Sequence, residues 1–144
     1  VAIDVRGGTI SGWEGASGTV YTETAAQAGG AGAILVENGH WAALRAYGAQ
    51  LPPSTGAFTD DLSKATLQLR DRGRLALTAD TTVGDLEVSA NSYLATNGFK
   101  LYVDAIEHHL DNPSVKGTGD TAMVDTYANI IWTGVPKTTV LIVR

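Results

Sequence analysis

The sequence predicts an all-β chain that winds into stacked rungs as a parallel β-helix, and three observations lead there. First, between residues 66 and 106 one phrase recurs: a short apolar-alternating strand, a turn built on Gly or Asn, then another strand. The copies are TLQL, RLALT, VGDLEVS, SYLAT and KLYVD, with no helical pattern between them. Self-similarity of this kind marks a chain that coils layer upon layer. Second, Leu67, Leu69, Leu75, Leu77, Leu86, Val88, Leu94, Leu101 and Val103 mostly stand two apart within a strand, which puts each pair on one face. Gln68, Ala76, Glu87 and Tyr102 fall on the other. Third, equivalent strands, such as those holding Leu67, Leu86 and Leu101, recur at about fifteen to twenty residues, the length of one rung. At about 4.8 Å per rung such a coil buries a continuous apolar column. An antiparallel β-sandwich is the alternative, because its short strands and Gly turns read alike. The scarcity of two-residue hairpin signals favours the coil.

The elements follow in order. Residues 1–5 (VAIDV) begin in an alternating strand, which Gly7 and Gly8 break, and residues 12–18 form a Gly-rich turn containing Trp13. Residues 19–24 (TVYTET) and 33–37 (AILVE) are strands separated by Gly29, Gly30 and Gly32. Asn38-Gly39 supplies the positive φ of a tight turn and predicts a strand-turn-strand unit. Residues 40–64 are a loop excursion from the scaffold, since Pro52-Pro53 forbids both helix and central strand. Its Trp41, Leu44, Tyr47, Leu51 and Phe58 are expected to fold back on the coil. Residues 60–65 predict one helical turn capped by Asp60 or Asp61. Asn91 and Asn97 mark bends, because Asn tolerates left-handed backbone. Residues 108–119 are polar and turn-rich, 129–133 (NIIWT) pack Trp132 into the core or a cap, and 138–143 (TTVLIV) end in a strand. The expectation is one β-solenoid domain over residues 1–144, with 108–144 as a less regular capping segment.

Composition narrows the function classes. Of the 144 residues 44% are hydrophobic, enough for one core, and the net charge is −5. The ten Lys and Arg are scattered, so no basic stripe exists to neutralise a nucleic-acid backbone. The lack of cysteine excludes disulfides, a thiol nucleophile and thiolate metal sites. No run approaches the roughly 18 apolar residues of a membrane-spanning helix.

Residues 15–26 (GASGTVYTETAA) followed by 32–39 (GAILVENG) resemble the "GGSGGTIY, small residues, then GxLxVxNGG" passage of large bacterial surface proteins built as right-handed β-helices. These are the filamentous-haemagglutinin-like and autotransporter-passenger-like adhesins. Residues 84–88 (GDLEV) and 97–103 (NGFKLYV) are similar to their later rungs. The resemblance implies a right-handed coil, a C-terminal segment of such a protein, a secreted or cell-surface location, and a structural or adhesive role without cofactors. It departs around Pro52-Pro53 and after His108, where regular rungs are lost.

Candidate sites are few. Trp13, Trp41 and Tyr47 are the candidates for a sugar-stacking platform that would take a glycan or cell-surface ligand, against a packing role for each. Val1, Ile3, Val5, Val140 and Ile142 are candidate subunit contacts, since apolar terminal strands that add to one another would build a homopolymer. Parallel β-helices also host polysaccharide lyases and hydrolases, which need two carboxyl groups flanking one bond. Asp80, Asp85, Glu87, Asp104 and Glu107 are the carboxylates that stacking brings nearest, and a solvated strand face is the competing reading. No catalytic residue is assigned, because the chain lacks an Asn-Thr-Asp, Asp-Asp and Gly-His-Gly set and has no Gly-x-Ser-x-Gly elbow. No metal site is assigned either: His108 and His109 are adjacent and diverge, while Asp111, Asn112 and Asp120 lack the spacing of a calcium loop. The expectation is a structural or adhesive segment, with a carbohydrate-binding module or a polysaccharide-active enzyme on the same scaffold as alternatives.

Overall fold

A computed structural model describes residues 9–10, 13–14, 17–38, 48–52, 61–107 and 124–134. Within them the protein is all-β. The strands are β1 (Thr9–Ile10), β2 (Trp13–Glu14), β3 (Gly18–Thr22), β4 (Ala33–Glu37), β5 (Ala49–Leu51) and β6 (Thr66–Arg70). They continue with β7 (Arg74–Leu77), β8 (Thr81–Val83), β9 (Asp85–Val88), β10 (Tyr93–Ala95), β11 (Leu101–Val103) and β12 (Ile130–Trp132), the last preceded by a turn of 3-10 helix at Tyr127–Asn129. Strands β4, β6, β7 and β9 alternate buried with less buried residues where their sequences alternate aliphatic with polar or small ones, as in TLQLR and DLEV.

Beyond the small β1–β2 pair there are three sheets, ordered β3-β4-β6-β9, β5-β7-β10 and β8-β11-β12. Among the described residues six of the eight strand pairings are parallel, and only β1–β2 and β3–β4 are antiparallel. A sandwich of antiparallel neighbours, the alternative raised by the sequence, does not fit this pattern. Three consecutive strands, β6, β7 and β8, enter the three sheets in turn, and β9, β10 and β11 enter them in the same order. The register then places Leu86 beside Leu67, Leu94 beside Leu75 and Leu101 beside Thr81, a step of nineteen or twenty residues. Pairing carries on past the strand ends: Ser89 N–H donates to Leu69 C=O and Tyr93 N–H to Gly73 C=O, both at 2.9 Å.

This register stacks like on like. Ile34, Leu67 and Leu86 form one buried row, and Val36, Leu69 and Val88 the next. Leu75 and Leu94 continue into Val124 through an isolated parallel bridge, while Leu101 lies beside Ile130 and Val103 beside Trp132. The rows meet in one core cluster, and most of its Leu and Val side chains are wholly buried. Each such side chain contributes about 1.5–3 kcal/mol relative to exposure.

The bends between strands use left-handed backbone at Asp71, Arg72, Asn91 and Asn97, with φ of 43°, 64°, 66° and 52°. Asn91 and Asn97 are the two bends expected from the sequence. Gly73 is required for another reason: a Cβ there would run into the Val36 carbonyl of the neighbouring strand. Near Asn97 a polar knot closes the layers. Asp125 Oδ1 accepts from Thr96 N–H (2.9 Å) and Thr96 Oγ1 (2.7 Å), and its Oδ2 accepts from Asn97 N–H (3.1 Å). Asn129 Nδ2 donates to Thr96 Oγ1 at 2.9 Å, and Lys100 Nζ donates to Asn129 Oδ1 at 2.7 Å. Thr96 and Asn129 are buried, so each bond offsets a desolvation penalty.

Several local expectations are corrected. The 40–64 excursion contains β5, which pairs in parallel with β7 and buries Leu51. Leu101 belongs to the third sheet, not to the row of Leu67 and Leu86, because two bends separate β9 from β11. Trp13 lies in a short strand opposite Ile10 rather than in a turn. Asn38 is not among the left-handed residues; it is buried and its N–H donates to Asp71 C=O. The described part of 60–65 is a turn rather than a helix, closed by Ala65 N–H on Leu62 C=O and capped by Asp61, whose Oδ1 accepts from Ser63 N–H.

Leu67→Ala is expected to cost about 2–5 kcal/mol in urea denaturation, against less than about 0.5 kcal/mol for the exposed Thr82→Ala. A loss below about 1 kcal/mol would place Leu67 outside a closed core. Asp125→Ala leaves the buried Thr96 N–H without its acceptor, and a loss of about 1–3 kcal/mol is expected. Amide exchange at Thr96 reads it directly: unaltered protection in the variant would show that the knot is dispensable.

Candidate functional site

Among the described residues a cleft of about 630 Å³ opens between β3, β4, β5 and the turn before β6. Its existence follows from the register. Tyr21 pairs with Ile34 and Thr19 with Val36, so these β3 residues lie on the same sheet face as the buried aliphatic rows. The inward positions of later strands carry Leu and Val, whereas β3 carries Thr and Tyr. Among the described residues β3 has no neighbour beyond it, and Tyr21 is 44% exposed. The floor of the cleft is apolar, formed by Ile34, Leu51 and Leu62. Its rim carries Glu23, Gln50, Asp61 and Lys64.

The Tyr21 side chain is held at its phenolic end. Its hydroxyl donates to Glu23 Oε2 at 2.9 Å and accepts from Gly32 N–H at 3.1 Å. Glu23 is fixed in turn, since its Oε1 accepts from Gly30 N–H at 3.2 Å. The 23–32 turn that delivers Gly30 and Gly32 is braced by Gln27: its Oε1 accepts from Thr24 N–H at 2.7 Å and its Nε2 donates to Ala31 C=O at 2.9 Å. Gly32 must lack a side chain, because a Cβ there would meet the Thr22 carbonyl oxygen and lie 2.6 Å from the Tyr21 ring. Across the cleft, hydrogen bonds from Ser63 hold the Asp61 carboxyl below the usual carboxylate range, and Lys64 adds a smaller effect in the same direction. The mouth therefore offers carboxylate acceptors at Asp61, with the Lys64 side chain as a donor beside them. An aromatic face, an apolar floor and a mixed rim suit non-covalent capture of an amphipathic ring.

The sequence-predicted site residues are not among the described residues that line the cleft. Of the sugar-platform candidates, Trp13 has its backbone in β2, while Trp41 and Tyr47 fall outside the described residues. Val1, Ile3, Val5, Val140 and Ile142 fall outside them too, as do His108, His109, Asp111, Asn112 and Asp120. Of the carboxylates considered for catalysis, Asp104 is exposed just after β11, and the other four are engaged separately. Glu87 accepts from Gln68 Nε2 at 2.8 Å and pairs with Arg70 at 3.2 Å on the outer face of the β3-β4-β6-β9 sheet. Asp80 accepts from Lys100 N–H, Asp85 from Leu86 N–H, and Glu107 from the Tyr127 hydroxyl. Among the described residues no group of three His, Asp or Glu is arranged to hold a metal ion. Trp132 packs against the core, as its NIIWT setting predicts.

Sequence reasoning passed over Tyr21 as one more strand residue. The available signal was Thr19, Tyr21 and Glu23 at alternate positions, a polar face where later strands are aliphatic. No family model matches the chain, and no curated protein or solved structure matches it either.

Gly32→Ala is expected to push the Tyr21 ring from its seat and to destabilise the protein by about 1–3 kcal/mol, the usual cost of overpacking. The ring resonances of Tyr21 and their nuclear Overhauser contacts to residue 32 report the displacement. Contacts that survive in the variant would mean that the ring is not seated on this glycine.

Proposed function

We propose that the chain winds as a right-handed parallel β-helix and serves as a structural or adhesive segment of a secreted or cell-surface protein. The observation that carries this reading is the recurring order of the strands, in which β6, β7 and β8 and then β9, β10 and β11 visit three parallel sheets at a step of nineteen or twenty residues. One circuit per layer is the shortest path that satisfies this order. The right hand follows from the twist of L-amino-acid strands, which makes parallel crossovers right-handed in about 98% of cases. Such a coil is stiff along its axis, because every layer is tied to the next by main-chain hydrogen bonds and by the same buried rows. Outward residues such as Gln68, Thr82, Glu87 and Tyr102 do not carry the core and are free to vary, which suits a spacer or an adhesive surface. The likeness of residues 15–26 and 32–39 to β-helix adhesins supports the same reading.

Two measurements test it. Nuclear Overhauser contacts are expected between the strands of Leu67 and Leu86, of Leu75 and Leu94, and of Leu101 and Ile130, in the pattern of parallel neighbours; an antiparallel pattern at these pairs sinks the coil. Antibodies raised against the purified chain are expected to label intact cells of the source, or the protein in their medium. Labelling that requires lysis removes the surface role and leaves the fold standing.

A further inference from the structure

We propose that the cleft beside Tyr21 is a binding site for the ring of a neutral pyranose sugar, with Tyr21 as the stacking face and Gln50, Asp61 and Lys64 as partners for its hydroxyls. A large aromatic side chain exposed to solvent ordinarily samples several orientations. This one is held by two hydrogen bonds to its hydroxyl and rests against a glycine that leaves room for nothing larger. An aromatic ring fixed in advance lowers the ordering cost of receiving a ligand. The ring stands at an inward position of β3, where a packed layer would carry Leu or Val, and it borders the floor made by Ile34, Leu51 and Leu62.

The chemistry of the cleft selects the ligand. A pyranose has one face of C–H groups, which packs on an aromatic ring and an apolar floor, and a rim of hydroxyls that both donate and accept. Asp61 offers acceptors, Lys64 donors, and the exposed Gln50 amide both. Glu23 and Asp61 outweigh Lys64 in charge, which disfavours phosphates and uronates. A planar aromatic ligand would leave the polar rim unused. The volume of about 630 Å³ lies within the span usual for small-ligand sites. The cleft is built by β3, β4, β5 and the turn before β6, so its chemistry does not require the remainder of the chain to coil.

The test is a titration of isotopically labelled protein, followed by amide shifts in NMR, with methyl glycosides of glucose, galactose and mannose and with their β-linked disaccharides. Saturable shifts at Thr19, Tyr21, Gln50 and Leu62 with a millimolar Kd are expected. Tyr21→Ala is expected to weaken binding about tenfold or more, as loss of an aromatic anchor does. Asp61→Asn and Lys64→Ala alter only exposed side chains, so they read the same cleft if Tyr21→Ala fails to fold, and each is expected to weaken binding several-fold. Thr82→Ala, on a different sheet, leaves affinity unchanged. The proposal is overturned if no glycoside gives saturable shifts, if the shifts map away from the cleft, if the folded cleft variants bind as the wild type does, or if only methyl glucuronide or inorganic phosphate binds.

Discussion

The constraint on which everything else rests is that, from β4 through β6 to β9 and from β7 to β10, inward aliphatic side chains lie directly beside equivalent ones in the next strand of the sheet. Leu67 beside Leu86 and Leu69 beside Val88 leave no gap between layers, and the same holds for Leu75 beside Leu94. Because side-chain direction alternates at every residue, a slip of one position would turn an entire row outward. Parallel pairing makes this matching possible over several strands, since equivalent residues meet without the reversal that a hairpin imposes. The short bends, one to five residues long between β6 and β11, follow from it: each must turn the chain to the next sheet without shifting the count. Left-handed residues at Asp71, Arg72, Asn91 and Asn97 do so, and the close approach of Gly73 to the Val36 carbonyl brings one layer against another.

Among the described residues the polar features gather where the aliphatic rows stop repeating. On one side the Asp125, Thr96, Asn129 and Lys100 network replaces aliphatic contact with directional bonds, which keep the turn before β12 in register. On the other, β3 runs antiparallel to β4 and presents Thr19 and Tyr21 where Leu or Val would otherwise stand. The first arrangement saturates its donors and acceptors with one another. The second leaves Tyr21 44% exposed at the edge of its sheet, and that difference makes the β3 cleft rather than the Asp125 knot the place to look for a ligand.

Strands β6, β7, β9, β10 and β11 were legible, because period-two alternation in TLQLR, RLAL, DLEV and LYV is strong; β8 was not, since Val83 reads as the start of VGDLEVS and not as the end of a separate strand. β5 was not, since Pro52-Pro53 beside it argues against a central strand; the proline falls just after Leu51, where the strand has ended and no ladder donor is needed. Asn38 does not take the left-handed backbone its pairing with Gly39 suggested; its N–H reaches Asp71, a partner 33 positions on that no local pattern reveals, and Gly39 lies outside the described residues. The cleft was missed because Tyr21 reads as an ordinary β-former, and its value lies in contacts to Gly30 and Gly32 across the 23–32 turn through Glu23 and directly.

By itself the sequence determined which stretches are extended and which side chains turn inward, because both depend on the alternation of neighbouring residues and on the steric freedom of Gly and Asn. Tertiary structure decided which strand lies beside which. Leu67, Leu86 and Leu101 look interchangeable along the chain, yet the first two share a row and the third stands in another sheet beside Thr81 and Ile130. That choice is made by the number and angle of the bends between them, a sum over distant residues that no single segment encodes.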